Sequence, residues 1–213
     1  MQNNVSLRLA KRIWEVVEKE FESGELFEKV SPITKELLRF WFCEPFISQR
    51  QFNFHKGQKQ SILNIIYLHE VLKINNVLEI YEQVAPDLLL ESDLFGAKET
   101  RNSLKESRYD LPKYLVKMAT GTGKTWVMHA LLIWQILNAK NEEEKSGRFT
   151  KNFLIVAPGL IVYDRLLDAY KGRLSENGNG RDFSTNDFVR NKDLFVPENY
   201  REEVFSFIQN NTV

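Results

Sequence analysis

The chain has 213 residues, room for one domain and an appendage or for two small domains, since a domain usually takes roughly 150 residues. Hydrophobic residues at 43% and charged residues at 27% exclude a disordered or fibrous chain. Lys+Arg and Asp+Glu are 29 each, and a formal charge of zero excludes nucleic-acid coating by bulk charge while leaving room for a local basic surface. Cys43 is the single cysteine, so an intramolecular disulfide and any multi-cysteine metal site are excluded, and a buried structural thiol is expected. The opening MQNNVSLRLA lacks the apolar core of a secretory signal, and runs such as Ala130–Leu137 are far shorter than the roughly 20 residues of a membrane span. The expectation is a soluble, cytoplasmic chain with no membrane partner.

Residues 1–50 read as a helical N-terminal region. Leu9, Ile13, Val16, Val17 and Phe21 share one helical stripe, and Gly24 interrupts it. Ser31 is placed as an N-cap with Pro32 in the first turn, followed by a helix over 33–43 whose aromatic residues suit a core. Residues 45–54 read as an extended connector, and the region 51–112 goes on with a helix from about Gly57 to Leu72 and an insertion at 73–112 ending in a charged loop closed by Pro112. From Lys113 the pattern changes. A strand is expected at 113–118, a helix at 124–140, a surface loop at 141–151, a strand at 152–157 stopped by Pro158-Gly159, and a helix at 160–171. Strand–helix–strand–helix at this spacing predicts an α/β fold with a parallel sheet and flanking helices.

The segment Met118–Thr125, MATGTGKT, carries the chemistry. After a strand, a tight turn presents successive backbone N–H groups to phosphate oxygens, and the following helix adds the positive end of its dipole. Gly121 and Gly123 let the backbone curl against an anion with no Cβ in the way. Lys124 is placed to reach the terminal phosphates, and the Thr125 hydroxyl to ligate Mg2+. Thr120, Gly121, Thr122, Gly123, Lys124 and Thr125 are therefore the expected nucleotide-binding residues, with ATP and Mg2+ as cofactors. Met118 stands where the full phosphate-loop pattern has glycine.

With that departure, MATGTGKT resembles the first motif of superfamily-2 helicases and translocases. FLIVAP at 153–158, followed by Gly159-Leu160-Ile161, resembles their second conserved strand and turn, which contacts the nucleic-acid backbone. Phe54-His55-Lys56-Gly57-Gln58 resembles the glutamine motif, in which an amide donates one hydrogen bond to adenine and accepts another. Together these segments look most like the restriction subunit of type III restriction–modification enzymes. The resemblance implies that residues 113–213 form an incomplete RecA-like P-loop NTPase domain, the first part of a DNA translocase joined to a nuclease. It further implies that Gln58 reads adenine, that Pro158, Gly159 and Arg165 meet DNA, and that a modification (methyltransferase) subunit is a partner.

The sequence departs from that family in the 66-residue spacing from Gln58 to Lys124, in the absence of a second motor domain and a nuclease motif, and in its carboxylates. No Asp-Glu-x-His box follows the loop, and Asp164, the nearest candidate, is followed by Arg165 within a helical pattern, which suits a helix-surface aspartate. No catalytic residue is therefore assigned. The chain is expected to be an N-terminal fragment that stops part-way through the first motor domain and binds ATP without appreciable turnover. A stand-alone nucleotide-binding switch or interaction module is the alternative, and a small-molecule kinase is disfavoured by Met118. His69-Glu70 lacks the second histidine of a zinc peptidase and is expected on a helix surface. His55 either borders an adenine pocket or serves the loop. Trp126 is expected to pack, and Arg165 and Lys171 either meet phosphates or lie on a solvated face.

Overall fold

The apolar stripes become helices in the computed structural model, which describes residues 5–91, 112–141, 147–175 and 178–212. In chain order these are α1 (Val5–Ser23), α2 (Leu26–Lys29), α3 (Pro32–Phe42), α4 (Lys56–Ile66), α5 (Val77–Val84), α6 (Pro86–Glu91), α7 (Lys124–Asn141) and α8 (Leu160–Lys171). After them come strands β1 (Arg173–Leu174) and β2 (Arg181–Asp182), then α9 (Asp187–Arg190), α10 (Lys192–Phe195) and α11 (Arg201–Asn211). The chain divides into two compact units, Met1–Val30 with Lys56–Lys124, and Ser31–His55 with Thr125–Val213. The charged stretch 92–111 and residues 142–146 of the surface loop lie outside the described residues.

In the first unit the stripe on α1 buries Leu9, Ile13 and Val17, and α1 packs on α2, α4 and α5. Gly24, at φ 85, ends α1 in a conformation that a Cβ disfavours. Helix α4 buries Ile62, Leu63 and Ile66 and runs on into a π-turn over Tyr67–Val71. Tyr67 donates its hydroxyl to Glu20 Oε1 at 2.9 Å, and Lys29 pairs with the same oxygen at 2.7 Å. Helix α5 starts in a reciprocal cap. Asn76 Oδ1 accepts from the Glu79 N–H at 3.2 Å, while Glu79 reaches back to the Asn75 N–H at 2.8 Å.

The second unit is organised by α7, which is apolar on most of its circumference. Val127, Ala130, Ile133, Trp134, Ile136 and Leu137 are all buried, and covering each of the larger ones is worth about 1.5–3 kcal/mol. The buried Trp134 indole and Asn138 amide of this helix are matched by α3. Ser31 caps α3 as expected, accepting from the Thr34 N–H at 3.0 Å. The Thr34 hydroxyl accepts from Trp134 Nε1 at 2.9 Å and from Asn138 Nδ2 at 3.1 Å. Trp41 on α3 donates to the Phe195 carbonyl at 2.9 Å, and Phe54 and Phe195 meet edge to face at 5.9 Å. Phe195 of the C-terminal region thus packs against α3 and Phe54. Cys43 is half-buried.

The expected α/β fold, an incomplete RecA-like domain with a parallel sheet, is overturned. The described residues hold one sheet, the antiparallel pair β1–β2, with Arg173 opposite Asp182 and Leu174 opposite Arg181. Segments 113–118 and 152–157 have no strand partner among the described residues. Alternate apolar side chains in them face solvent, with Leu115 at 92%, Leu154 at 89% and Val156 at 80% exposure. A run of apolar residues signals burial, but a strand exists only where a neighbour accepts its ladder hydrogen bonds. The helices, whose hydrogen bonds are internal, need no such neighbour. A cleft of about 450 Å³ in the second unit is lined by Phe153, Ile155, Tyr163, Leu167, Tyr170 and Ile208.

Gly172 closes α8 at φ 84, and a Cβ there would lie 1.8 Å from the Asp182 carbonyl oxygen. Arg181 Nη1 braces the same turn, donating to Asp168 Oδ1 at 2.6 Å and to the Gly172 carbonyl at 2.7 Å. Gly172→Ala is expected to destabilise the chain by about 2 kcal/mol or more, through strained φ and a backbone clash, read as a lower urea midpoint.

His129 on α7 is wholly buried among Tyr170, Phe188 and Phe195, with ring centroids at 5.3, 4.5 and 5.6 Å. Neither ring nitrogen has a hydrogen-bond partner. Burial favours the neutral ring and lowers its pKa from 6.5 to about 3. Below pH 6.5 the unfolded chain takes up a proton that the fold resists, so stability present above 6.5 is lost as pH falls toward 3. The loss approaches about 1.4 kcal/mol per pH unit within that window. His129→Phe should flatten this acid limb relative to the unsubstituted chain in urea titrations run from neutral pH downward.

Candidate nucleotide-binding site

The phosphate loop lies in the first unit, between the segment 112–118 and the start of α7. The π-turn fixes its approach. His69, expected on a helix surface, is buried, and its Nδ1 lies 3.2 Å from the Tyr114 hydroxyl. Tyr114 sits four residues before Met118, so this contact ties the segment leading into the loop to the end of α4.

The loop turns at Ala119–Thr122. The Thr122 hydroxyl donates to the Ala119 carbonyl at 2.7 Å, and the Thr122 N–H to the same carbonyl at 3.4 Å. Gly121 and Gly123 take φ of 80 and 71, the left-handed region where glycine alone is unstrained. A Cβ built on Gly121 finds nothing within 4 Å, so the space over the turn is open. Lys124 is the first residue of α7, and Thr125 follows it; both are exposed. The Lys124 ammonium donates to the Met118 and Ala119 carbonyls, each at 2.8 Å. Two of its three protons are thus held by the loop's own backbone.

Gln58 comes to this loop from α4. It is 4% exposed, and Nε2 donates to the Gly123 carbonyl at 3.2 Å. Its meeting with Gly123, sixty-five positions along the chain, was not foreseen from the sequence, which suggested a base-reading role alone. The sequence signal was present in the glutamine motif, but the motif does not say which way the amide turns. His55 is exposed. Trp126 packs, with its ring 5.7 Å from Phe195. Pro158 and Gly159, just before α8, and Arg165, in its second turn, are exposed, in the second unit. Asp164 is exposed on the same helix, in keeping with a surface aspartate. Among the described residues, no three His, Cys, Asp or Glu side chains gather into a metal-binding cluster. No helix among them is long and apolar enough to cross a membrane.

The arrangement suits an anion. Two left-handed glycines, the N-terminal end of an 18-residue helix and a cationic side chain converge on one open, exposed turn. A family model described as type III restriction enzyme, res subunit, matches residues 51–210, a span that includes both Gln58 and the loop. No curated protein and no solved structure matches the chain.

Proposed function

The chain belongs to the type III restriction enzyme res subunit family, whose function is helicase-like and ATP-dependent, and from that premise we propose that its phosphate loop binds Mg-ATP as part of a DNA-translocating restriction motor. The observation that carries the reading is the loop itself: open space over Gly121, positive φ at Gly121 and Gly123, and Lys124 at the first turn of α7. These residues fit a triphosphate. Backbone N–H groups of 120–124 would hold its oxygens, Lys124 would exchange a carbonyl contact for a terminal phosphate, and the exposed Thr125 hydroxyl would hold Mg2+. The bound metal supplies charge neutralisation at the phosphates. The chain's own residues bind and orient; a carboxylate pair that would activate water is not among the residues assigned to this site.

Pro158, Gly159 and Arg165 are proposed to meet the DNA backbone. Their exposure before and within the first two turns of α8 supports this, and phosphate contacts need charge and N–H groups without base-specific geometry. A modification subunit is proposed as the partner, by analogy with the family. Lys124→Ala is the test. Mg-ATP should bind the unsubstituted chain in calorimetry and bind the variant at least about tenfold more weakly, as loss of a charge-assisted contact implies. The melting temperature should be little changed, because Lys124 is exposed. Equal affinities would sink the proposal.

A further inference from the structure

Resting on the nucleotide-binding reading above, we propose that Thr122 is a positioning residue that eases the transfer of Lys124 to a phosphate, by holding the backbone carbonyl that Lys124 gives up. The Ala119 carbonyl has two lone pairs to satisfy. The Thr122 hydroxyl donates to it at 2.7 Å and the Lys124 ammonium at 2.8 Å. The Thr122 N–H, at 3.4 Å, lies outside the usual range for a strong bond. One hydroxyl and one ammonium thus share one acceptor. The turn itself asks nothing of this side chain, because the positive φ falls on Gly121 and Gly123, on either side of it. A hydroxyl at position 122 adds a bond back to the main chain three residues earlier, which threonine and serine make and valine cannot. Lys124 also donates to the Met118 carbonyl, and a phosphate draws it off both. With Thr122 in place, the Ala119 carbonyl keeps a close donor when Lys124 leaves. With valine there, Lys124 is its only close donor, and the departure costs more.

The consequence is a loss of affinity that depends on Lys124 being present. Mg-ATP and magnesium tripolyphosphate are titrated by calorimetry against the chain, Thr122→Val, Thr122→Ser, Lys124→Ala and the double variant. Thr122→Val, close in volume but without the donor, should weaken both ligands about three- to tenfold, the worth of one ordinary hydrogen bond. Thr122→Ser should stay within about twofold of the unsubstituted chain, and Thr122→Val should cost less than about twofold more once Lys124 is alanine. In that background no cation is released, so the hydroxyl matters equally before and after binding. No loss with valine, no rescue by serine, or the same loss in the Lys124→Ala background each overturns the proposal. Failure of the unsubstituted chain to bind either ligand overturns the nucleotide-binding reading and this one with it. A second measurement needs no substitution and stands if Thr122→Val does not fold. A structure of the chain with Mg-ATP should show Thr122 Oγ1 still on the Ala119 carbonyl and Lys124 Nζ moved to a phosphate. Lys124 remaining on Ala119, or the Thr122 hydroxyl turned to a phosphate, overturns the positioning role.

Discussion

Almost everything in the second unit depends on the burial of α7 on most of its faces. A helix with one apolar stripe can lie on a surface, but one that carries Val127, Ala130, Ile133, Trp134, Ile136 and Leu137 around its circumference must be covered from several directions. The cover comes from distant parts of the sequence, the aromatic α3 and the short helices after residue 186. Two polar groups taken inside with the helix, Trp134 Nε1 and Asn138 Nδ2, find the Thr34 hydroxyl. Each would cost far more unpaired than its hydrogen bond contributes. The Ser31 cap that starts α3 also donates to Asn138 Oδ1 at 2.5 Å, so one serine serves both a helix end and a buried amide.

The proposed nucleotide site lies at the other end of the same helix. Burial ceases before Lys124 and Thr125, which are exposed, and the helix start therefore offers N–H groups, dipole and cation together. The turn before it is held by contacts within the first unit. Thr122 closes on Ala119, Lys124 folds back on Met118 and Ala119, and Gln58 grips Gly123. The Lys124 ammonium already donates to two main-chain carbonyls. Under the proposed function, binding would therefore be an exchange of partners, with a net free energy smaller than the gross strength of the new bonds.

His129 shows the opposite arrangement, a titratable group given no partner at all. Its aromatic neighbours stabilise a flat, neutral ring by contact and exclude the water that would solvate a charged one. Tyr170, beside it, is likewise buried, with its hydroxyl unpartnered and its pKa raised by desolvation. The helical core is thus built for neutrality, and the charged residues of the unit sit at its surface, as in the Lys140–Glu203 pair at 3.4 Å.

Local physics was legible in the sequence wherever it closes on itself. The bounds of α7 and α8, the Ser31 cap, the break at Gly24 and the glycine turn before Lys124 all follow from backbone preferences and hydrogen bonds spanning a few residues. The family resemblance, carried by short contiguous motifs, was readable for the same reason. The parallel sheet was misread because NFLIVA and KYLVKM state only that their side chains are apolar. Whether such a segment becomes a strand depends on a partner's N–H and C=O groups, which no property of the segment supplies. Tertiary structure likewise decided that His69 is buried beside Tyr114, that His129 lies in an aromatic cage, and that Gln58 turns its amide to Gly123. Each of these joins residues far apart along the chain, and a side chain's direction there is settled by what packs around it.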